Sequence, residues 1–211
     1  MAVDVLWFKK DLRVKDLQPL IEAAKSSNNL LCLFLVEPER LELDDTDHIH
    51  IEWELDNAEE LAKSLATIGG HLHIKFGDAI GALQSIHKDF QIHRIFSHQE
   101  TGNSWSYHRD LQVKQWCNSN NVEWLEFPSN GVIRGLTDRD LWKKKRDSRM
   151  RIELHEPPNL ESISVPNSDL FDRTSIGLKP RKLSYRREAG ESAAVTRLAD
   201  FLEHEAKNFQ W

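Results

Sequence analysis

The sequence is poor in several features that would place it quickly in a functional class. It has two cysteines among 211 residues, Cys32 and Cys117, too few for a disulfide framework and not spaced as zinc ligands. We expect both to be buried, reduced thiols. No apolar run approaches the roughly 20 residues that cross a bilayer, and the start of the chain lacks the pattern of a signal peptide. These absences predict a cytoplasmic protein without a membrane span.

Motifs for phosphate and metal binding are also missing. Neither G-x-G-x-x-G nor G-x-x-x-x-G-K-[ST] occurs in the sequence, which weighs against an independent nucleotide-binding α/β protein, although that alternative stays open. The pairs His48 with His50 and His71 with His73 have the spacing of residues that share a strand face. No cysteine or further histidine completes a zinc set. We therefore expect surface histidines and no metal site.

The charge is unevenly distributed along the chain. The net charge is −6, so the chain as a whole lacks the basic surface typical of nucleic-acid-binding proteins. Residues 134–151, however, hold eight lysines and arginines against three aspartates, a net charge of +5. This stretch has the composition to contact DNA phosphates. We interpret it instead as a solvated helix whose Leu136, Leu141 and Trp142 dock on the sheet.

Short apolar runs alternate with segments of helical periodicity. Strands are predicted at 3–8, 30–36, 71–76, 92–97 and 122–127, and helices at 17–27, 49–68, 78–86 and 105–116. The first two strands are continuously apolar, which is typical of a parallel sheet covered on both faces. The alternation predicts an α/β fold, an open, doubly wound, Rossmann-like sheet of five parallel strands with helices on both faces. Such folds bind ligands at the carboxyl ends of the strands, where the strand order reverses.

The regular pattern weakens after residue 131. The segment at 155–190 is longer than the loops usually found within a compact domain. It also contains four of the seven prolines, Pro157, Pro158, Pro166 and Pro180. Helical periodicity returns near Glu191, which together with Ser192 is expected to cap the helix. We divide the chain into an α/β domain at 1–134, an interdomain linker at 135–189 and a short C-terminal helix at 190–211.

Four segments resemble, in order, the DNA photolyase/cryptochrome family. Residues 5–16 (VLWFKKDLRVKD) are similar to the motif that opens the family's N-terminal α/β domain, although the family usually has arginines in place of Lys9 and Lys10. Residues 61–78 resemble its third strand, and residues 96–113 the stretch in which an acidic residue follows strand four and an Arg-Asp pair lies in the next helix. Residues 190–202 resemble the Gly-Glu-Thr-Ala-Ala signature that opens the FAD-binding helical domain.

The resemblance implies that residues 1–134 bind a light-harvesting antenna chromophore of the folate or flavin/deazaflavin type. It implies that the full-length parent is a blue-light-driven photolyase that repairs pyrimidine dimers by electron transfer from FAD. A cryptochrome-type photoreceptor is the alternative, because the discriminating residues lie in the helical domain.

The same resemblance implies that damaged DNA and FAD bind to the helical domain, so this chain alone should be inactive and carry no FAD. Phe209 stands where the family has a tyrosine that contacts the flavin phosphate, and it lacks the hydroxyl donor. Without the helical domain to cover it, the C-terminal helix offers a surface for a dimer.

The expected ligand site lies where the first, second and fourth strands end. The resemblance suggests that Phe8 forms an aromatic wall for the chromophore and that Lys9 and Lys10 supply two cations. It also suggests that Glu100 accepts hydrogen bonds from the ring edge of a pterin or deazaflavin. In the structural alternative, the lysines are solvated and Glu100 is an acid at the start of a helix. No catalytic residue is expected. Asp11 and Arg13 should hold the loop through a mutual or nearby ion pair. The predicted cofactor-binding residues are Phe8, Lys9, Lys10, Val36, Glu37, His98 and Glu100.

Overall fold

The structure, a computed structural model, describes residues 2–26, 29–129, 131–163, 173, 177–178 and 187–208. Five parallel strands form one sheet in the order β3-β2-β1-β4-β5. The strands are β1 (Val3–Phe8), β2 (Asn29–Val36), β3 (Leu72–Phe76), β4 (Ile92–His98) and β5 (Glu123–Phe127). The strand order reverses beside β1, which confirms the predicted doubly wound α/β fold.

Six α-helices accompany the sheet within the described residues. They are α1 (Gln18–Ala24), α2 (His48–Thr67), α3 (Ala79–Phe90), α4 (Ser104–Ser119), α5 (Trp142–Met150) and α6 (Glu191–Asp200). Pro19 lies in the first turn of α1, where a missing N–H costs no helical hydrogen bond. Asp78 caps α3 by accepting a hydrogen bond from the Gly81 N–H at 2.8 Å. Among these helices, none combines the length and the apolar composition of a membrane span.

Alternate residues of the central strands enter opposite layers of the core. Leu6 and Phe8 of β1 pack in the layer that contains α1 and α2, whereas Val5 and Trp7 pack in the layer that contains α3 and α4. Both β1 and β2 are buried almost throughout because helices cover the sheet on both faces. The sheet therefore presents its polar groups mainly at the strand ends, which is where a ligand can reach them.

The two cysteines and four histidines test the predictions made for them. Cys32 and Cys117 are buried free thiols, as predicted, and burial raises their pKa values to about 12 and about 11. Among the histidine pairs, the prediction of surface positions is wrong for His73, which is buried on β3. His50 has a structural role, since its Nδ1 accepts a hydrogen bond from the Asp47 N–H in the capping box of α2. No group of side chains in the described ranges is arranged to hold a metal ion.

The segment after α5 returns to the amino end of the sheet. Leu160 is buried there, and its N–H donates to the carbonyl of Ile68, which follows α2, at 2.7 Å. The Ile163 N–H donates to the Leu30 carbonyl of β2 at 2.9 Å. Residues 160–163, predicted as linker, are thus attached to the α/β unit, and the division of the chain at residues 134 and 189 stays a prediction.

Gly69→Ala should cost more stability than its backbone conformation alone explains. Gly69 has a φ of +82°, and an added Cβ would collide with the carbonyl oxygen of Leu160. Gly135 has a φ of +64° with no heavy atom near its added Cβ, so Gly135→Ala measures the left-handed backbone cost, about 1–2 kcal/mol. We expect urea titrations to give Gly69→Ala a further loss of about 2 kcal/mol. Equal losses would contradict the close packing of Leu160 on Gly69.

The start of α6 is held against the α/β unit. Its N-cap is Gly190 and no side chain caps it, so the prediction that Glu191 and Ser192 cap the helix is wrong. The Glu191 carboxylate instead accepts hydrogen bonds from the N–H groups of Val14 and Lys15, at 3.1 and 3.2 Å, in the loop between β1 and α1. Phe209 lies outside the described residues.

The solvent exposure of the basic helix α5 contradicts one part of the interpretation of residues 134–151. None of its nine residues is buried, and Leu141 and Trp142 are 44% and 43% exposed. The prediction that these two side chains dock on the sheet is therefore wrong; Leu136 is half-buried. Trp142 is fixed locally, since its Nε1 donates to the Gly131 carbonyl at 3.0 Å and its ring lies 5.7 Å from the Arg146 guanidinium.

Candidate functional site

The seven predicted cofactor-binding residues lie together at the carboxyl ends of β1, β2 and β4. Phe8 and Val36 are buried in the core layer of α1 and α2, so they form the base of this edge. Three others lie buried, namely Lys9, Glu37 and His98, and Glu100 is a half-buried residue whose side chain is 7% exposed. The Lys10 side chain is the exposed member, at 59%. Their contact with a chromophore stays a prediction.

Lys9 is a buried cation, unlike its neighbour Lys10. Its Nζ lies 3.1 Å from both carboxylate oxygens of Asp110. It also lies over the indole rings of Trp7 and Trp124, 4.7 and 4.9 Å from their centroids. Burial lowers the pKa of Lys9, and the charge of Asp110 partly offsets this effect. Lys9 therefore contributes to the structure beneath the site.

Arg109 of α4 joins three buried carboxylates. Its Nη1 donates to Glu37 at 2.7 Å, and its Nη2 donates to Glu100 at 2.5 Å and to Asp110 at 2.8 Å. Burial acts to lower the pKa of Arg109, but the three carboxylates outweigh it and raise the pKa above its ordinary value. Burial raises the pKa of Glu37, against the opposing attraction of Arg109. The guanidinium thus fixes the position of Glu100 at the edge of the sheet.

Arg134 closes the network from the segment that follows β5. Its Nη1 lies 3.1 Å from Glu126, its Nη2 lies 3.4 Å from Asp110, and it also donates to the backbone carbonyl of Glu100. The cations Lys9, Lys10, Arg109 and Arg134 lie against the carboxylates Glu37, Glu100, Asp110 and Glu126. Mutual ion pairs of this kind hold long polar side chains in defined positions before any ligand arrives.

Asp11 and His98 form a second pair at the same edge. The His98 Nδ1 and the Asp11 Oδ2 are 2.6 Å apart, so the nearby partner of the Asp11 carboxylate is His98. Burial acts to raise the pKa of Asp11, but the hydrogen bond and charge of His98 outweigh it and lower the pKa. Arg13 instead donates to the backbone carbonyls of Lys15 and Asp16, at 3.1 and 2.9 Å. Both residues hold the loop between β1 and α1.

Two clefts open above this network and share Lys10 and Glu100. The tryptophan cleft, of about 330 Å³, has Trp53 and Trp105 in its lining. The loop cleft, of about 300 Å³, is lined partly by Asp11, Arg13 and His98. Both volumes match the small end of the range for sites that bind organic ligands.

Sequence reasoning missed Trp105, Arg109 and Asp110 as members of the site. Arg109 and Asp110 could be recognised because polar residues occupy positions of α4 whose helical spacing places them on its buried face. The buried positions of this helix are Ser106, Arg109, Asp110, Val113, Trp116 and Cys117. Charged residues at core positions of a helix are rarely fully buried without partners, so Arg109 and Asp110 mark a buried ionic site.

Comparison with known proteins gives the family. The model of the family described as DNA photolyase matches residues 4–139. A curated relative, cryptochrome DASH (chloroplastic/mitochondrial) of Solanum lycopersicum, is 26% identical over 138 residues, which are 63% of this chain and 23% of that protein. Cryptochrome-1 of Aedes aegypti is 23% identical over 133 residues, 60% of this chain and 24% of that protein. The chain thus spans about a quarter of the length of these relatives.

Solved structures share the fold over nearly the whole chain. A cryptochrome of Synechocystis sp. PCC6803 aligns with a TM-score of 0.76 and 17% identity, covering 97% of this chain and 47% of that one. A class III photolyase of Agrobacterium tumefaciens aligns with a TM-score of 0.77 and 21% identity, covering 96% of this chain and 45% of that one. From the match of the family model to most of the chain, together with the five-stranded doubly wound sheet, it follows that this chain belongs to the DNA photolyase family and contains its N-terminal α/β domain.

Proposed function

We propose that the chain is the antenna part of a blue-light-driven DNA photolyase and that the tryptophan cleft binds the light-harvesting chromophore. One observation carries the proposal: a cleft with two indoles and a carboxylate in its lining opens at the carboxyl edge of the sheet, beside the reversal of strand order. Ligand sites of doubly wound sheets occur at this position. In the family, repair itself belongs to the FAD-binding helical domain, so this chain contributes light absorption and not the electron.

The lining suits a planar heterocycle of the folate or flavin/deazaflavin type. Such a ring has flat apolar faces, for which Trp53 and Trp105 provide aromatic partners. Its edge carries N–H donors, for which the Glu100 carboxylate provides an acceptor, and hydrogen bonds to a charged acceptor are the stronger ones. Glu100 Oε2 is held by Arg109, while its Oε1 lies 3.9 Å from Lys10 Nζ. Lys10 adds a cation for an acidic tail, such as the glutamate of a folate or the phosphate of FMN.

A cryptochrome-type photoreceptor is the second candidate. It is favoured by the names of the curated relatives, which are cryptochromes. Antenna binding serves both functions, because each begins with the capture of blue light. Residues Val195, Leu198 and Leu202, on and beyond α6, are exposed; in either function this side packs on a flavin domain in preference to a second copy of the chain.

Trp105→Leu should weaken binding of the chromophore about fivefold, because a lost aromatic stacking contact is worth roughly 1 kcal/mol. The chain would be titrated with folinic acid, FMN and ATP, and bound ligand followed by its absorption and by quenching of tryptophan fluorescence. Trp142→Leu, at an exposed tryptophan that does not line the cleft, is the matched control and should leave binding unchanged.

The titration also separates the alternatives. Saturable binding of folinic acid or FMN that depends on Trp105 supports the antenna site. Tight binding of ATP without either chromophore class would favour a nucleotide-binding protein. An equal loss in both tryptophan variants, or binding of neither chromophore, would refute the tryptophan cleft as the site.

A further inference from the structure

A separate cationic surface surrounds α5. We call residues 139–151, the turn Arg139–Leu141 together with α5 and Arg151, the basic segment. Residues 134–151 carry a net charge of +5 in a chain of −6, which leaves −11 for the rest. Every residue of α5 is at least partly exposed. The positive charge is therefore concentrated on one short element of an otherwise acidic protein.

Five cations of this segment make no side-chain hydrogen bond or ion pair within the described part of the chain: Arg139, Lys143, Lys144, Lys145 and Arg151. By contrast, two arginines elsewhere are paired with carboxylates, Arg40 with Glu54 and Arg94 with Asp4. A cluster of uncompensated cations raises the local positive potential and attracts polyanions from solution.

The helix is fixed in place by contacts that leave its lysines available. Trp142 Nε1 donates to the Gly131 carbonyl, and Arg149 Nη1 donates to the Val132 carbonyl at 2.7 Å. The Arg146 guanidinium lies over the Trp142 ring and pairs with Asp147 at 3.1 Å. A charged surface that is ordered before binding loses less conformational entropy when a partner arrives.

We propose that the basic segment binds the phosphate backbone of double-stranded nucleic acid without reading its sequence. Lysine and arginine contacts to phosphate position a protein on a duplex but carry no sequence information. The nine residues of α5 span about 13 Å, the length over which one strand presents about four phosphates. This surface goes beyond the antenna site, since none of its residues lines either cleft.

The composition of the helix favours nucleic acid over a membrane. An interfacial membrane helix needs an apolar face along its length. Between Trp142 and Met150, α5 has the sequence KKKRDSR, with no apolar residue. The exposed Ile152 and Leu154 follow the helix and do not extend along it.

The test measures binding of the 211-residue chain to an undamaged, fluorescein-labelled 20-bp duplex by fluorescence anisotropy. With five phosphate contacts, the slope of log K against log [NaCl] is about −4.5, so a rise from 20 to 80 mM NaCl weakens binding about 500-fold. Lys143→Gln, Lys144→Gln and Lys145→Gln combined should reduce the slope to about −1.8 and the loss to about tenfold. An undamaged duplex keeps lesion recognition out of the measurement.

The matched control replaces three exposed lysines elsewhere, Lys88→Gln, Lys114→Gln and Lys207→Gln, with the same change in net charge. It should keep most of the wild-type affinity and slope. Equal losses in the two triple variants, or no binding by the wild-type chain at 20 mM NaCl, would overturn the proposal. So would binding to vesicles with anionic lipid at salt concentrations where the duplex is not bound. Far-UV circular dichroism melts confirm that both variants are folded.

Discussion

Arg109→Ala should lower the free energy of unfolding by about 3–5 kcal/mol, because it leaves buried carboxylates without their common cation. Glu37 and Glu100 would each lose a charge-assisted hydrogen bond of 2.7 or 2.5 Å. For a chain of this length, such a loss corresponds to a fall in Tm of roughly 10 °C or more. Urea titration and thermal melts followed by circular dichroism measure both quantities. The control is Arg197→Ala, which removes only exposed ion pairs with Asp200 and Glu205 and should change stability little.

The loss in Arg109→Ala should depend on pH in a defined direction. Burial already raises the pKa of Glu37 above 4.5, and Arg109 opposes that rise, so removing Arg109 raises the folded-state pKa further. A carboxyl group with a raised folded-state pKa contributes stability below its unfolded pKa, and this contribution is lost as the pH rises through the folded-state pKa. The deficit against the wild type should therefore be smallest near pH 4.5 and grow towards neutral pH. A deficit that is constant over this range would show that lost packing, and not uncompensated charge, is responsible.

Lys9→Met is the second substitution with a large expected effect, a loss of about 3 kcal/mol in the free energy of unfolding. Methionine keeps most of the apolar stem but removes the cation between the indoles of Trp7 and Trp124 and the bond to Asp110. Each cation–π contact that is shielded from water contributes on the order of 1 kcal/mol. Asp110 retains Arg109, which keeps the loss below that of Arg109→Ala.

The adjacent Lys10→Met is a stringent control for this prediction. Both substitutions are chemically identical and lie one residue apart, but the Lys9 side chain is 3% exposed and the Lys10 side chain is 59% exposed. Lys10→Met should change stability within about 0.5 kcal/mol. Similar losses of stability in the two variants would contradict the burial of the Lys9 side chain and the exposure of the Lys10 side chain. Because Trp7 and Trp124 flank Lys9, a change in tryptophan emission of the folded protein is expected only for Lys9→Met.

The strands and their parallel pairing follow from local patterns that the sequence contains. The continuous apolar runs that became β1 and β2 predict burial on both faces, and the alternation of strands with helices predicts parallel pairing. Placing Phe8, Val36 and His98 at one edge needs only the rule that parallel strands end on the same side. These conclusions depend on spacing along the chain, which is why sequence reasoning obtained them.

The internal contacts of the site depend on partners that are distant in sequence. Lys9 and Lys10 are the same residue type at the end of the same strand, but the buried Lys9 has partners that are distant in sequence, among them Asp110, 101 residues later, and Trp124. Arg109 and Glu37 are 72 residues apart. In residues 134–151, Leu141 and Trp142 have the composition of docking residues, but the helix faces solvent. Hydrophobicity predicts that a side chain can be buried, not that a surface is available to bury it.

The bond from Glu191 to the loop after β1 has a consequence for folding during synthesis. The acceptor of the Val14 N–H is 177 residues further along the chain. At a translation rate of about 5–20 residues per second, roughly 10–35 s separate the synthesis of the two partners. The central strand β1 is made first but also needs β4 as a neighbour. The loop that borders the loop cleft is therefore completed late, and nascent chains shorter than 191 residues should expose its amides to protease and to hydrogen exchange.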